Sequence, residues 1–312
     1  MQAFTSAEKG WHRAESPREL PAPLCVFSTY KGAGSFLLET LGTGRVTTVV
    51  LSRRSAVSFE NFTKLFNFCP KKAGNVGVER ERFLALCSGV LVPRAAQVLA
   101  DLDSAAFGHE LSACQVESRV GPTTLENLAR HLVAQDDVLG AVLARHRLIA
   151  LATEVGPYTM PLDVYPDPTG RYQEITRDMP RHILRAACRI AGTHVHIGMP
   201  NYKTALAVYN HVCKFCDELS SLGDGSSGER LLLYKQMVPY YKPTPYRSWE
   251  AYYETACRQG FVEDPRKCWT LIRISKHGTI EFRMFGATNS TTRICSWAQR
   301  CHELCQEALA TA

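Results

Sequence analysis

Seven acidic or imidazole side chains are spaced in this sequence so that backbone geometry alone can gather most of them. In Gly77-Val-Glu79-Arg-Glu81-Arg-Phe83, two carboxylates lie two residues apart. Side chains alternate along a strand, so Glu79 and Glu81 share a face. Gly192-Thr-His194-Val-His196-Ile-Gly198 repeats the spacing with two imidazoles, while Val195 and Ile197 face the other way. Two histidines on one strand face suit a divalent metal or an anion. In Thr279-Ile-Glu281-Phe-Arg283-Met-Phe285, a carboxylate and a guanidinium share a face opposite Ile280, Phe282 and Met284. Arg273 lies on the preceding strand-like run, on the side of Leu271 and Ser275. Glu110 and Glu117 are seven apart, an odd spacing that sends them to opposite faces of a straight strand. They converge only if the segment bulges or turns helical between them.

Each segment also has a plainer reading. Glu79 and Glu81, interleaved with Arg80 and Arg82, read alone as a solvent-facing edge. Glu281 with its arginines reads alone as an ion-pair ladder worth about 0.2–1 kcal/mol per pair. Their number decides. Five carboxylates and two histidines occupy polar faces, with Arg273, Arg283 and the loop residue Arg230 beside them. Oxygen-rich donors suit Mg²⁺ or Mn²⁺, and guanidiniums clamp phosphate oxygens. This is the layout of a phosphoryl-transfer site in which metals bridge ATP phosphates. Gly32 and Gly34 lack the Lys-Ser/Thr tail of a phosphate loop, so the nucleotide would lie on a sheet.

The elements that must position these residues alternate without a strict βαβ order. Strands are predicted at Val76–Leu86, Thr193–Met199, Trp269–Ser275 and Thr279–Phe285, the last two a hairpin joined by Lys276-His277-Gly278. Helices are predicted at 93–102, from a cap at Thr123 or Thr124 to about Ala152, over 172–190 with a break at Pro180, from Asn201 to about Leu222, from Ser248 to Gly260 and from Thr291 to Leu309. Gly223 to Arg230 reads as a polar loop. The fold class expected is α+β with an antiparallel sheet. Residues 1–74, which include the strand-like run Val46–Leu51, differ in texture and read as an accessory segment of their own; residues 75–312 would be the catalytic domain.

Composition narrows the classes. The 312 residues are 45% hydrophobic and 21% charged, which excludes collagen-like, coiled-coil and largely disordered chains. No apolar run is long enough to span a bilayer, and the first twenty residues lack a secretory pattern, so a cytoplasmic protein is expected. Net charge is +6, of which the first 74 residues supply +5 from ten basic and five acidic residues. A diffuse surplus without interleaved aromatics argues against nucleic acid as a partner. Twelve cysteines in so long a chain read as reduced thiols. The tight pair Cys213/Cys216 falls in a helical pattern, with no second pair at zinc-ribbon spacing.

Val76-Gly-Val-Glu-Arg-Glu-Arg-Phe83, His109-Glu-Leu-Ser-Ala-Cys-Gln-Val-Glu117, Gly192-Thr-His-Val-His-Ile-Gly198, Trp269-Thr-Leu-Ile-Arg-Ile-Ser275 and Gly278-Thr-Ile-Glu-Phe-Arg283 stand in the order seen in bacterial carboxylate–amine ligases. Over residues 75–312 the chain resembles this family, the second type of glutamate–cysteine ligase, within the glutamine synthetase-like superfamily. The resemblance implies a curved antiparallel sheet with helices on its outer face, carrying ATP and divalent metals. It implies Glu79, Glu281 and His194 as ligands of the metal that bridges the phosphates. It implies Glu81, Glu110 and Glu117 as ligands of the metal nearer the substrate, with Glu117 also a candidate base for the amine. His196 would sit near the phosphates, and Arg273 and Arg283 would stabilise the transferring phosphoryl group. The implied reaction joins a carboxylate to an amine through an acyl phosphate.

The chain departs from the family pattern in its first 74 residues, in the Glu154–Tyr172 connection and in Gly223–Tyr234. Ser226, Ser227, Glu229 and Arg230 are therefore candidates for substrate contact. Ligation onto a protein side chain, guanidino-type phosphotransfer and a non-catalytic nucleotide- or amino-acid-binding protein remain alternatives, and a homo-oligomer is open.

Overall fold

The computed structural model describes residues 57–310. The Val46–Leu51 run and Gly32 and Gly34 lie outside these residues. The strands are β1 (Val76–Leu86), β2 (Phe107–His109), β3 (Gln115–Thr123), β4 (Leu148–Leu151), β5 (Gly192–Gly198), β6 (Ile272–Ser275) and β7 (Thr279–Gly286). The α-helices are α1 (Phe59–Thr63), α2 (Ala95–Leu102), α3 (Leu125–Arg145), α4 (Arg171–Thr176), α5 (Arg181–Arg189), α6 (Tyr202–Val212), α7 (Cys216–Gly223), α8 (Glu229–Met237), α9 (Trp249–Gln259) and α10 (Thr291–Ala310). All strand pairs are antiparallel, in the order β2-β3-β1-β5-β7-β6, with β4 also paired to β1. The class is α+β, as expected.

Alternation gives the sheet two unlike faces. Val76, Val78, Val195, Ile197, Ile272, Ile274, Ile280 and Phe282 are buried on one side with Val208, Tyr209 and Val212 of α6 and Ile294, Trp297 and Leu304 of α10. Each large side chain buried this way contributes about 1.5–3 kcal/mol. Phe62 and Phe66 join the same core, so residues just before β1, counted above with the accessory segment, pack with the sheet. The opposite face carries the acids and imidazoles. It turns apolar at Phe83 and Ala85, which pack with Met160, Cys188 and Ala191 and so wall off one end.

Three local expectations change. The helix from Thr124 stops at Arg145, and Leu148–Leu151 is a strand that pairs with Phe83–Leu86. Leu128, Leu132, Leu139, Val142 and Leu143 make a buried stripe at helical spacing, and the apolar run after it pairs with the open edge of β1. The polar loop ends at Gly228, whose φ of 84° precedes a helix, α8, that begins at Glu229. The Asn201 helix is interrupted by a 3₁₀ turn at Cys213–Phe215.

Arg80 and Arg82 overturn the reading of β1 as a solvent-facing edge. They lie on the helix side, 1% and 4% exposed. Arg80 Nη1 donates to Asp136 Oδ2 at 3.0 Å and Arg82 Nη1 to Asp136 Oδ1 at 2.5 Å. Arg80 Nη2 also donates to the Leu132 carbonyl, and Arg82 Nη2 to Ser118 Oγ. Burial disfavours the Asp136 charge, yet the two guanidiniums hold its carboxyl below the usual range. Removing one partner of such a pair strands buried charge, at a cost of about 3–5 kcal/mol. Asp136→Asn should therefore lower the melting temperature strongly. Because its folded pKa is depressed, Asp136 stabilises the fold above the unfolded value of about 3.9, and that contribution disappears as pH falls through the lower folded value. The gap between wild type and Asp136→Asn should close in acid; a gap that stays constant down to pH 2 would overturn this assignment.

Candidate active site

Strand register brings the polar residues into rows. Glu79 is paired with His194, His196 with Glu281, Glu281 with Arg273, and Glu81 with Glu117. Gly77 lies opposite His196, and a Cβ there would come within 3.3 Å of the His196 Cβ. Between Thr193 and Val195 the β5–β7 register shifts, because β7 carries an extra residue opposite His194. Alternation along β7 puts Glu281 and Arg283 together on the polar face near the histidine pair.

Glu110 and Glu117 meet by neither of the routes the spacing allowed. β2 ends at His109 and the chain turns back, so that Glu117 on β3 lies opposite Gly108. A hairpin thus brings Glu110 and Glu117 to one place.

The centre of the face is a charge network. His194 Nδ1 lies 3.2 Å from Glu79 Oε2, its Nε2 3.5 Å from Glu81 Oε1, and Glu281 Oε1 is 4.0 Å away. His196 Nε2 is 3.5 Å from Glu79 Oε2 and makes no hydrogen bond, while its Nδ1 is held 2.9 Å from Thr279 Oγ1. Glu281 is fully buried. Arg273 grips it through Nε and Nη2 at 2.7 and 2.9 Å, and Arg283 Nη1 adds a contact at 2.5 Å. Burial opposes the Glu281 charge, but Arg273 and Arg283 hold its carboxyl far below the usual range. Burial likewise opposes charge on Glu79 and His196, and their mutual attraction overrides it, lowering the acid and raising the imidazole.

The second acidic group behaves oppositely. Burial, then Glu81 and Glu117, push the Glu110 carboxyl well up, and burial with Glu79 raises Glu117. Arg119, bonded to Glu117 at 2.5 Å, counters only part of this. Glu81 uses Oε2 to accept the Gly192 N–H at 2.7 Å. Like charges crowded in a low-dielectric site either take up a proton or accept a cation.

Among the described residues, one set of three has donor atoms all within 4.8 Å of one another: Glu79, His196 and Glu281. The buried, unpartnered imidazole nitrogen of His196 and the carboxylate-rich surroundings fit a hard divalent cation. His194, expected in that role, instead bridges the two acidic groups. Cys213 and Cys216 take no part; burial raises their thiols to about 12 and about 11. The eleven described cysteines are all free thiols.

The four residues expected to touch substrate lie at the Gly192 end of the face. Arg230 is buried, and its guanidinium donates to the carbonyls of Ala191, Met284 and Arg283. Glu229 pairs with Arg189 at 2.8 Å. Ser226 Oγ donates to Asp224 and accepts from the Arg230 N–H, while Ser227 has a φ of 55°. Sequence reasoning missed Arg119 and Thr279. Both share a strand face with a chosen acid, two residues from Glu117 and Glu281, which was the signal available. It also missed Glu154, for which the sequence offers no signal.

Fold and site together define an antiparallel sheet with a buried, acid-rich, arginine-clamped face. Among solved structures, the fold is similar to a bifunctional glutathione synthetase from Pasteurella multocida, at a TM-score of 0.52 and 15% identity over 81% of this chain and 41% of that one. In sequence the chain is similar to the curated "putative glutamate–cysteine ligase 2-2" of Saccharopolyspora erythraea, 31% identical over 173 residues. That match covers 50% of this chain and 42% of the relative. It is also similar to a "putative glutamate–cysteine ligase 2" of Corynebacterium jeikeium, 28% identical over 264 residues, 75% of this chain and 64% of the relative. The matches thus span about two fifths to just under two thirds of these relatives' length. No protein-family model matches it. No described helix is long and apolar enough to cross a membrane.

Glu110 tests the cation fit. Burial beside Glu81 and Glu117 disfavours charge on Glu110, so Glu110→Gln should hold the metal-free melting temperature within about 2 °C, about 1 kcal/mol for a chain of this size. The same change should remove most of any rise that Mn²⁺ gives the wild type. Equal Mn²⁺ responses in both proteins would dismiss Glu110 as a ligand.

Proposed function

We propose that this chain is an ATP-dependent carboxylate–amine ligase that forms an amide through an acyl phosphate, with Mg²⁺ or Mn²⁺. The observation that carries the proposal is Glu281, a fully buried carboxylate held by two arginines beside Glu79 and His196. Such a site is costly to build unless several anions meet there. Glu79, His196 and Glu281 would hold one cation, and Glu81, Glu110 and Glu117 a second, with His194 between them. Those cations would neutralise phosphate charge during transfer. Arg273 Nη1 donates to the Arg266 and Cys268 carbonyls, while Arg283 Nε is buried without a partner; the two guanidiniums would stabilise the phosphoryl group as its charge spreads. Arg283 also lies 5.5 Å from the Trp269 ring centre, which restricts its swing. A substrate carboxylate attacks the γ-phosphate and releases ADP; an amine nitrogen then displaces phosphate from the acyl carbon. Glu117, its carboxyl raised by burial, is a candidate base for that nitrogen. The names of the relatives make glutamate and cysteine the first substrate pair to try.

ADP release should require both a carboxylate and an amine when the full chain is given Mg²⁺-ATP and a matrix of amino-acid pairs. Glu281→Gln should lower that release by at least about 10²-fold, as loss of preorganised charge does elsewhere. A variant with unimpaired turnover would sink the assignment.

A further inference from the structure

Beyond the Glu81 end of the polar face, the chain leaves a cavity of about 110 Å³, room for several water-sized groups. Its lining includes Glu154, Ser220, Asp224, Arg230, Leu231 and Met284. Glu154 is 8% exposed. Its Oε1 accepts the Gly225 N–H at 2.6 Å, and its Oε2 is buried without a hydrogen-bond partner. The other charged groups of the lining are already engaged. Asp224 accepts from the N–H groups of Ser226 and Gly228 and from Ser226 Oγ. Arg230 donates to three main-chain carbonyls. Two carboxylates against one guanidinium leave the lining one negative charge in excess when both acids are ionised.

The backbone is shaped around this carboxyl. A Cβ on Gly286 would strike the Glu154 carboxyl, and one on Gly225 would come within 2.6 Å of its Oε1. Gly286 is paired with Gly192, whose N–H is bound by Glu81. The cavity therefore adjoins the acidic group through one pair of residues. An unpaired buried carboxylate oxygen calls for a donor that also carries positive charge. Leu231 and Met284 offer apolar contact beside it.

We infer that this cavity is a binding site for a small primary ammonium group on a short apolar stem, with the Glu154 carboxyl as its counterion. Resting on the ligase reading above, this is the place of the amine substrate, next to Glu81. A neutral ligand would leave the excess charge unbalanced, and an anion would add to it.

The full chain is titrated with propylammonium chloride at mildly alkaline pH and followed by thermal unfolding. Tetramethylammonium chloride and sodium acetate at equal ionic strength serve as controls. Propylammonium should raise the melting temperature where the controls do not. Glu154→Gln, which keeps an oxygen for the Gly225 N–H, should weaken that response at least tenfold. Leu231→Trp, which fills the cavity and spares every charge, should weaken it as well. Equal responses of wild type and both variants, or equal responses to propylammonium and tetramethylammonium, would overturn the site. This binding test needs no turnover, so it stands apart from the ligase reading. If ADP release does depend on an amine, Glu154→Gln should raise the KM for the amine at least tenfold and leave that for ATP unchanged.

Discussion

A carboxylate with no exposed surface is tolerable only where positive charge surrounds it, and the arrangement around Glu281 follows from that constraint. Two guanidiniums reach it from neighbouring positions, one across the β6–β7 ladder and one from two residues along its own strand. The turn Lys276-His277-Gly278 sets the first of these contacts by fixing the hairpin register, and strand alternation puts the second on the same face. His196 and Glu79 then fall into place through the β5 pairings on either side. A one-residue slip in any ladder would send these charges into the apolar core, so the core and the site enforce the same register.

The face is electrically divided. Around Glu281 and Glu79 the acids are held charged by arginine and histidine. Around Glu110 and Glu117 they crowd one another, with Arg119 as partial relief. His194 touches both halves. A cation would add less to the balanced half than to the acid-rich one. At the Glu81 end, two paired glycines clear the surface for Glu154 and Arg230.

Much of this was legible because strands have a period of two. Glu79/Glu81, His194/His196 and Glu281/Arg283 could be placed on common faces from spacing alone, and the apolar residues between them marked the buried side. The hairpin at 276–278 and the caps at Asn201 and Ser248 were equally local, and both caps accept the backbone N–H their types predict. Where local rules did not suffice, the readings diverged. Arg80 and Arg82 looked like solvent-facing charges, yet both are buried on Asp136, a partner more than fifty residues away. Leu148–Leu151 continued a helical pattern until an open strand edge offered better bonding.

The sequence by itself determined which residues share a face, because backbone alternation depends on neighbours only. It also determined the antiparallel class and the order of the five polar segments. Tertiary structure alone decided which face meets which. The hairpin joined Glu110 to Glu117, the β5 ladders set the histidines beside Glu281 and Glu79, and the packing of the 223–230 segment on Gly192 and Gly286 buried Arg230 and left Glu154 lining a cavity. Apart from the hairpin, these outcomes depend on contacts between residues tens to more than a hundred positions apart, where no local period reaches.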